Sequence, residues 1–215
     1  MKLVILESGA KARTIKKYLG RGWMVEACNG HVQDLPSNRK TKDSSKAMWA
    51  AKTGELPNPP WSWTERAERI MSKITSKARN SGVDEVYIAT DPDREGEFIA
   101  WRLSEILSEF DTVHRVSFNE ITKDAVITAI SNPRQLDMDL VEAAIVRRLM
   151  DRLVGFRCSK FCRSWKLRSM GRVQTPTLGY IVERELEREA HKPKEYNSVN
   201  AYSNGVEVKV RFHES

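Results

Sequence analysis

The chain has 215 residues, 40% hydrophobic and 30% charged. That is enough to bury a sizeable core and too apolar for a disordered polypeptide. Thirty-six lysines and arginines against 29 acids leave a net charge of +7, which points to an anionic partner, nucleic acid being the commonest. The three cysteines (Cys28, Cys158, Cys162) form no even set and no stretch reaches membrane-spanning length, so a reduced, cytoplasmic protein is expected.

In chain order, residues 3–6 read as a short buried strand, followed by a Ser8-Gly9 turn. Ala12, Ile15 and Leu19 then recur at helical spacing up to Gly20. Residues 24–28 make a second strand. Residues 34–63, rich in polar residues and proline, read as an insertion. Thr64 is a candidate N-cap for a helix with Ala67, Ile70, Met71, Ile74 and Ala78 on one face. A strand at 86–89, a helix with Ile99, Leu103, Ile106 and Leu107 on its stripe, and a strand at 113–118 follow. Strands alternating with helices predict an α/β fold with a mostly parallel sheet flanked by helices, whose functional loops gather at the carboxyl ends of the strands. After residue 122 the pattern turns helical. Asp139 and Glu142 have capping-box spacing, and Thr175-Pro176 reads as an N-cap with proline at the first helical position. Alternation at Val206, Val208, Val210 and Phe212 predicts the start of a β-rich domain. The boundaries expected are 1–124, 125–192 and 193–215.

Two groups of residues carry chemistry. Asp91, Asp93, Glu95 and Glu97 crowd the segment that follows the strand at 86–89, and Glu7 ends the first strand. On neighbouring parallel strands their carboxylates would converge, and Mg²⁺ suits such a place because it takes one or two carboxylates plus water and phosphate oxygens. The competing reading is that these acids favour the amino end of the next helix, and for Glu97 that reading is preferred. The second group is basic: Arg147, Arg148, Arg152, Arg157, Lys160, Arg163, Lys166, Arg168 and Arg172 stand against the single acid Asp151. Phe156, Phe161 and Trp165 interleave them, as expected for a track that holds phosphates and stacks bases.

The segments LESGAKARTIKKYLG (6–20), GHVQDLP (30–36), IATDPDREGEFIAW (88–101), FNEIT (118–122), RRLMDRLVGF (147–156) and MGRVQTPTL (170–178) together resemble the type IA DNA topoisomerases. The first and third resemble the TOPRIM module, which primases and some nucleases share. The resemblance implies a TOPRIM α/β domain, a helical domain lining a groove for single-stranded DNA, and the onset of a β-rich arch. It implies ATP-independent change of DNA linking number by transient single-strand breakage, strand passage and rejoining, by a cytoplasmic, nucleoid-associated monomer. By motif, Glu7 handles protons, Lys11 stabilises phosphate or phenolate charge, and Glu7, Asp91, Asp93 and Glu95 hold Mg²⁺. His31, Arg147, Arg148, Asp151, Ser169, Met170, Gly171, Arg172, Val173 and Gln174 contact DNA, and Arg94 takes no assigned role. Met170 stands where many members carry alanine, and the motifs are divided between subclasses. The family's catalytic tyrosine is expected downstream of Ser215, so the chain as given is expected to bind DNA and Mg²⁺ without cleaving. Two alternatives stay open: another TOPRIM enzyme (primase or nuclease), or a non-catalytic module that binds single-stranded nucleic acid.

Overall fold

The computed structural model describes residues 1–36, 61–193 and 199–210. Most of the predicted insertion at 34–63, together with Tyr196 and Phe212, lies outside them. The elements run β1 (Lys2–Leu6), α1 (Gly9–Leu19), β2 (Trp23–Ala27), β3 (Gln33–Asp34), β4 (Ser62–Trp63), α2 (Ala67–Asn80), β5 (Glu85–Ala89), α3 (Arg94–Ile106) and β6 (Thr112–Arg115). They continue with α4 (Lys123–Ser131), α5 (Met138–Ser164), α6 (Gln174–Ala190), β7 (Val199–Ser203) and β8 (Val206–Val210). The chain divides into two compact units, residues 1–154 and 155–215.

In the first unit a four-stranded parallel sheet has the order β2-β1-β5-β6. Side chains alternate across its plane, so each strand feeds two cores. Leu3, Ile5, Val86 and Ile88 pack with Met71 and Ile74 of α2 and with Ile99 and Leu103 of α3. Val4, Leu6, Val25 and Ala89 face Ala12 and Ile15 of α1 and Val126 of α4. Burial of each large aliphatic side chain here contributes about 1.5–3 kcal/mol. This doubly covered parallel sheet is the predicted fold class. Two short strands, β3 and β4, pair antiparallel at the ends of the insertion.

Three predicted caps are corrected. Thr64 does not cap α2: its hydroxyl donates to the His31 carbonyl (2.9 Å), and the position before the helix is Arg66, without a side-chain cap. The α5 cap is Asp137, whose Oδ1 accepts from Leu140 N at 3.1 Å, so Asp139 already lies inside the helix. In the second unit α6 starts one residue before Thr175, and the Thr175 hydroxyl instead accepts from Gly171 N at 3.1 Å. There β7 and β8 form an antiparallel hairpin.

Candidate active site

The strand order places a switch point between β1 and β5, because β1 connects onward to β2 on its other side. A parallel sheet opens a crevice at the carboxyl ends of strands at such a point. Glu7 leaves β1 there and Asp91 follows β5. Ser8 caps α1 by accepting from Lys11 N, which starts the helix at once and puts Lys11 within its first turn. The Lys11 ammonium reaches across the crevice to Asp91, 2.7 Å from Oδ2.

Pro92 separates the two aspartates, and Asp93 takes an extended conformation as the N-cap of α3, its Oδ1 accepting from Gly96 N at 2.7 Å. Gly96 is required by close approach: a Cβ there would lie 2.1 Å from the Asp91 carbonyl oxygen. The acidic turn therefore folds directly onto the helix that follows it. Burial, and then the negative charge of Asp91, Asp93 and Glu95, push the Glu7 carboxyl above its usual range, against the pull of Lys11.

A second cation enters from α5. The Arg148 guanidinium donates to Glu95 (2.7 Å) and Asp34 (2.9 Å) and stands 2.9 Å from Nε2 of His31. It also lies over the Phe98 ring at 4.4 Å. His31 is delivered by Asn29 and Gly30, both at positive φ, where glycine carries no Cβ penalty. Burial, then the charge of Arg148, lower the His31 pKa. Arg148 Nε is buried without a hydrogen-bond partner. Arg147, one residue earlier, pairs at 3.8 Å with Asp151 on the same helix.

Beneath the turn lies a group the sequence reading missed. Glu97 is fully buried and accepts from Arg115 (2.5 Å), Arg134 and the Asp137 N–H (3.1 Å). Burial opposes its charge, but the two arginines outweigh it and hold the carboxyl below the usual range. Glu97 does lie in the first turn of α3, as expected, and it is in addition the anion of a buried ion cluster. The only trace in the sequence was an arginine inside the alternating strand at 113–118.

The Toprim domain family model matches residues 2–121, and a DNA topoisomerase family model matches residues 135–213. The chain belongs to the type IA DNA topoisomerases. Over 209 residues it is 45% identical to DNA topoisomerase 1 of Zymomonas mobilis, covering 94% of this chain and 16% of that protein. Over 208 residues it is 43% identical to DNA topoisomerase 1 of Rickettsia felis, covering 91% and 25%. Full-length topoisomerase I from Thermotoga maritima superposes with a TM-score of 0.66 at 33% identity, over 99% of this chain and 35% of that one. The chain thus spans a quarter or less of these two curated relatives.

Among the described residues of this topoisomerase region, no three His, Cys, Asp or Glu side chains form a ready cage for a metal ion. Asp91 is held by Lys11, Asp93 by the helix cap and Glu95 by Arg148. Hard carboxylate oxygens beside an electrostatically loaded Glu7 still fit Mg²⁺, which needs only one or two of them. Of the predicted DNA contacts, His31, Arg147, Arg148 and Asp151 belong to the first unit, and His31 and Arg148 meet at the acidic turn. Ser169, Met170, Gly171, Arg172, Val173 and Gln174 belong to the second unit. All but Gly171 are exposed there, with Gln174 donating to the Ser169 hydroxyl at 2.9 Å. No helix among the described residues is long and apolar enough to cross a membrane.

Proposed function

We propose that this chain supplies the acidic site and part of the single-strand groove of an enzyme that changes DNA linking number by transient single-strand breakage, strand passage and rejoining, without ATP. The observation that carries this reading is the meeting of Glu7, Lys11 and Asp91 at the β1–β5 switch point, with Arg148 reaching the same turn from α5.

Glu7 is the group for proton transfer at the scissile phosphate. Its raised pKa brings it closer to the operating range of a general acid or base. Lys11 is one turn away and already neutralises a carboxylate, so it can stabilise charge on a phosphate or an attacking oxygen. Asp91, Asp93 and Glu95, with Glu7, are the residues that would hold Mg²⁺. Bound there, the ion would neutralise charge on phosphate oxygens. Arg147 and Arg148 grip the backbone of the single strand, Asp151 orients Arg147, and the segment 169–174 contributes further contacts. The protein acts as a monomer on DNA in the cytoplasm.

The tyrosine nucleophile comes from another part of the full-length enzyme. In the first unit, Tyr18 donates to the Ile121 carbonyl (3.3 Å) and Tyr87 to Glu85 (2.7 Å), in the first half of β5. A primase or nuclease would share Glu7 and the Asp91–Asp93 turn, but the topoisomerase match over 135–213 favours the present reading.

The test is denaturing electrophoresis with end-labelled single-stranded DNA. The 215-residue chain is expected to bind the DNA and form no covalent adduct. A chain extended through the downstream domains is expected to form one, and Glu7→Ala is expected to abolish relaxation of supercoiled plasmid by that extended chain. An adduct on any tyrosine of the short chain overturns the assignment.

A further inference from the structure

Neither the metal site nor the DNA groove uses Glu97, yet it is a fully buried carboxylate that accepts from two arginines and a backbone N–H. Oε1 accepts from Arg115 Nε (3.1 Å) and Nη2 (2.5 Å) and from Arg134 Nη2, while Oε2 accepts from the Asp137 N–H at 3.1 Å. The other Arg115 donors go to backbone: Nη1 to the carbonyls of Val116 (2.6 Å), Thr90 (2.8 Å) and Ile88 (3.3 Å), and Nη2 to that of Asp91 (3.0 Å). Arg134 reaches Ser117 at 2.9 Å, and its own N–H donates to the Arg115 carbonyl at 2.8 Å. Asp137 caps α5, the helix that carries Arg147 and Arg148.

Resting on the functional reading above, we propose that Glu97 is a positioning residue that anchors both halves of the site. Through Arg115 it fixes the carbonyls of the acidic turn, and through Arg134 and Asp137 it fixes the start of α5. The carboxylates for the cation and the arginines for the phosphate thereby share one buried reference point. Arg115 needs its planar fork to hold Glu97 and four backbone carbonyls at once, a geometry that an ammonium group does not reproduce. Removing the Glu97 charge leaves two guanidinium groups uncompensated, one of them buried, and releases both ties. Removing Arg134, whose side chain is about one-third exposed, loosens only the tie to α5, where the Asp137 N–H still holds Glu97, and leaves the tie through Arg115 intact.

The two variants therefore differ in what they lose. In the full-length protein, held well below its unfolding temperature, Mg²⁺ affinity is read by calorimetry and DNA affinity with a labelled oligothymidylate. Glu97→Gln is expected to lower Mg²⁺ affinity by about 10- to 100-fold, the scale for losing a group that orients metal ligands, and to weaken DNA binding as well. Arg134→Gln is expected to weaken DNA binding by roughly 2- to 30-fold, the range for mutations within a coupling network, with Mg²⁺ affinity kept. A merely stabilising role would produce no such split between the two ligands. If Glu97→Gln fails to fold, Arg134→Gln carries the test alone, and unchanged DNA affinity in it overturns the proposal. A wild-type protein that binds neither ligand overturns the functional reading and this one with it. A wild type that binds both, with variants that bind both equally well, overturns this inference only.

Discussion

Glu7 illustrates how a reactive position conflicts with stability. Burial and its acidic neighbours raise its pKa in the fold above the ordinary value. A raised carboxyl favours the native state below the unfolded pKa, and that advantage is lost as pH rises through the folded value. At neutral pH the metal-free fold therefore carries a penalty at Glu7. Glu7→Gln is expected to raise stability at pH 7 by roughly 0.5–1 kcal/mol, the lower part of the range for surface-charge optimisation after discounting for solvent screening. The gain should disappear below pH 4.5, the ordinary glutamate value, in thermal melts recorded against pH. His31 works in the opposite sense from most histidines that gain a partner. Its pKa is lowered, so its contribution is present above 6.5 and lost as pH falls through the folded value. Gly96 makes a steric counterpart. Gly96→Ala sets a Cβ against the Asp91 carbonyl and is expected to cost about 1–3 kcal/mol, the usual price of overpacking. Denaturant melts would measure it, and an unchanged midpoint would mean that the turn can move freely off α3.

Among the elements, strands and helix faces were legible because burial leaves a period. The alternation of Leu3, Val4, Ile5 and Leu6 feeds two cores, and the stripe Ile99, Leu103 marks the buried side of α3. The Glu7 and Asp91 ends were legible because parallel strands bring their carboxyl ends together. Caps were read less well, since Thr64, Asp139 and Thr175 all have suitable side chains and only tertiary context selects between neighbours. The ion cluster of Glu97 was hidden for a related reason: its place in the first turn of α3 could be read, but its partners Arg115 and Arg134 are distant in sequence and meet it only in the fold. The cap correction at α5 is testable. Asp137→Ala is expected to cost about 1 kcal/mol, the typical loss for an N-cap, whereas Asp139→Ala should change stability little. Equal losses in chemical denaturation would restore the predicted capping box. The same helix carries the DNA prediction. Arg147 is paired at only 3.8 Å and is well exposed, so Arg147→Ala should leave the fold intact. It should also flatten the dependence of single-strand affinity on salt by about 0.7 in log–log slope, the share of one phosphate contact. An unchanged slope would remove Arg147 from the groove.

At the scale of the whole molecule, a chain of net charge +7 concentrates negative charge at one switch point, and all of that charge except Glu7 already has a partner within the protein. Lys11 neutralises Asp91, Arg148 neutralises Glu95, and the α3 amino end receives Asp93. A cation entering the turn must therefore compete with Lys11. Binding to the native state alone raises stability by mass action, about 2.7 kcal/mol at a hundredfold excess over Kd. Mg²⁺ is expected to raise the melting temperature of the wild-type protein, and Asp91→Asn combined with Asp93→Asn is expected to abolish the rise. Asparagine caps helices as well as aspartate does, so the α3 start should survive that double change. Lys11→Met supplies the opposite perturbation. Without the ammonium, the uncompensated carboxylates repel one another and the metal-free fold is weakened. The cation then meets no competitor, so the Mg²⁺-induced rise should exceed that of the wild type. Calorimetric melts of the three proteins across an Mg²⁺ series distinguish these outcomes. A Lys11→Met protein that gains no more from Mg²⁺ than the wild type would mean that Lys11 and the ion do not share Asp91, and would move the metal site away from this turn.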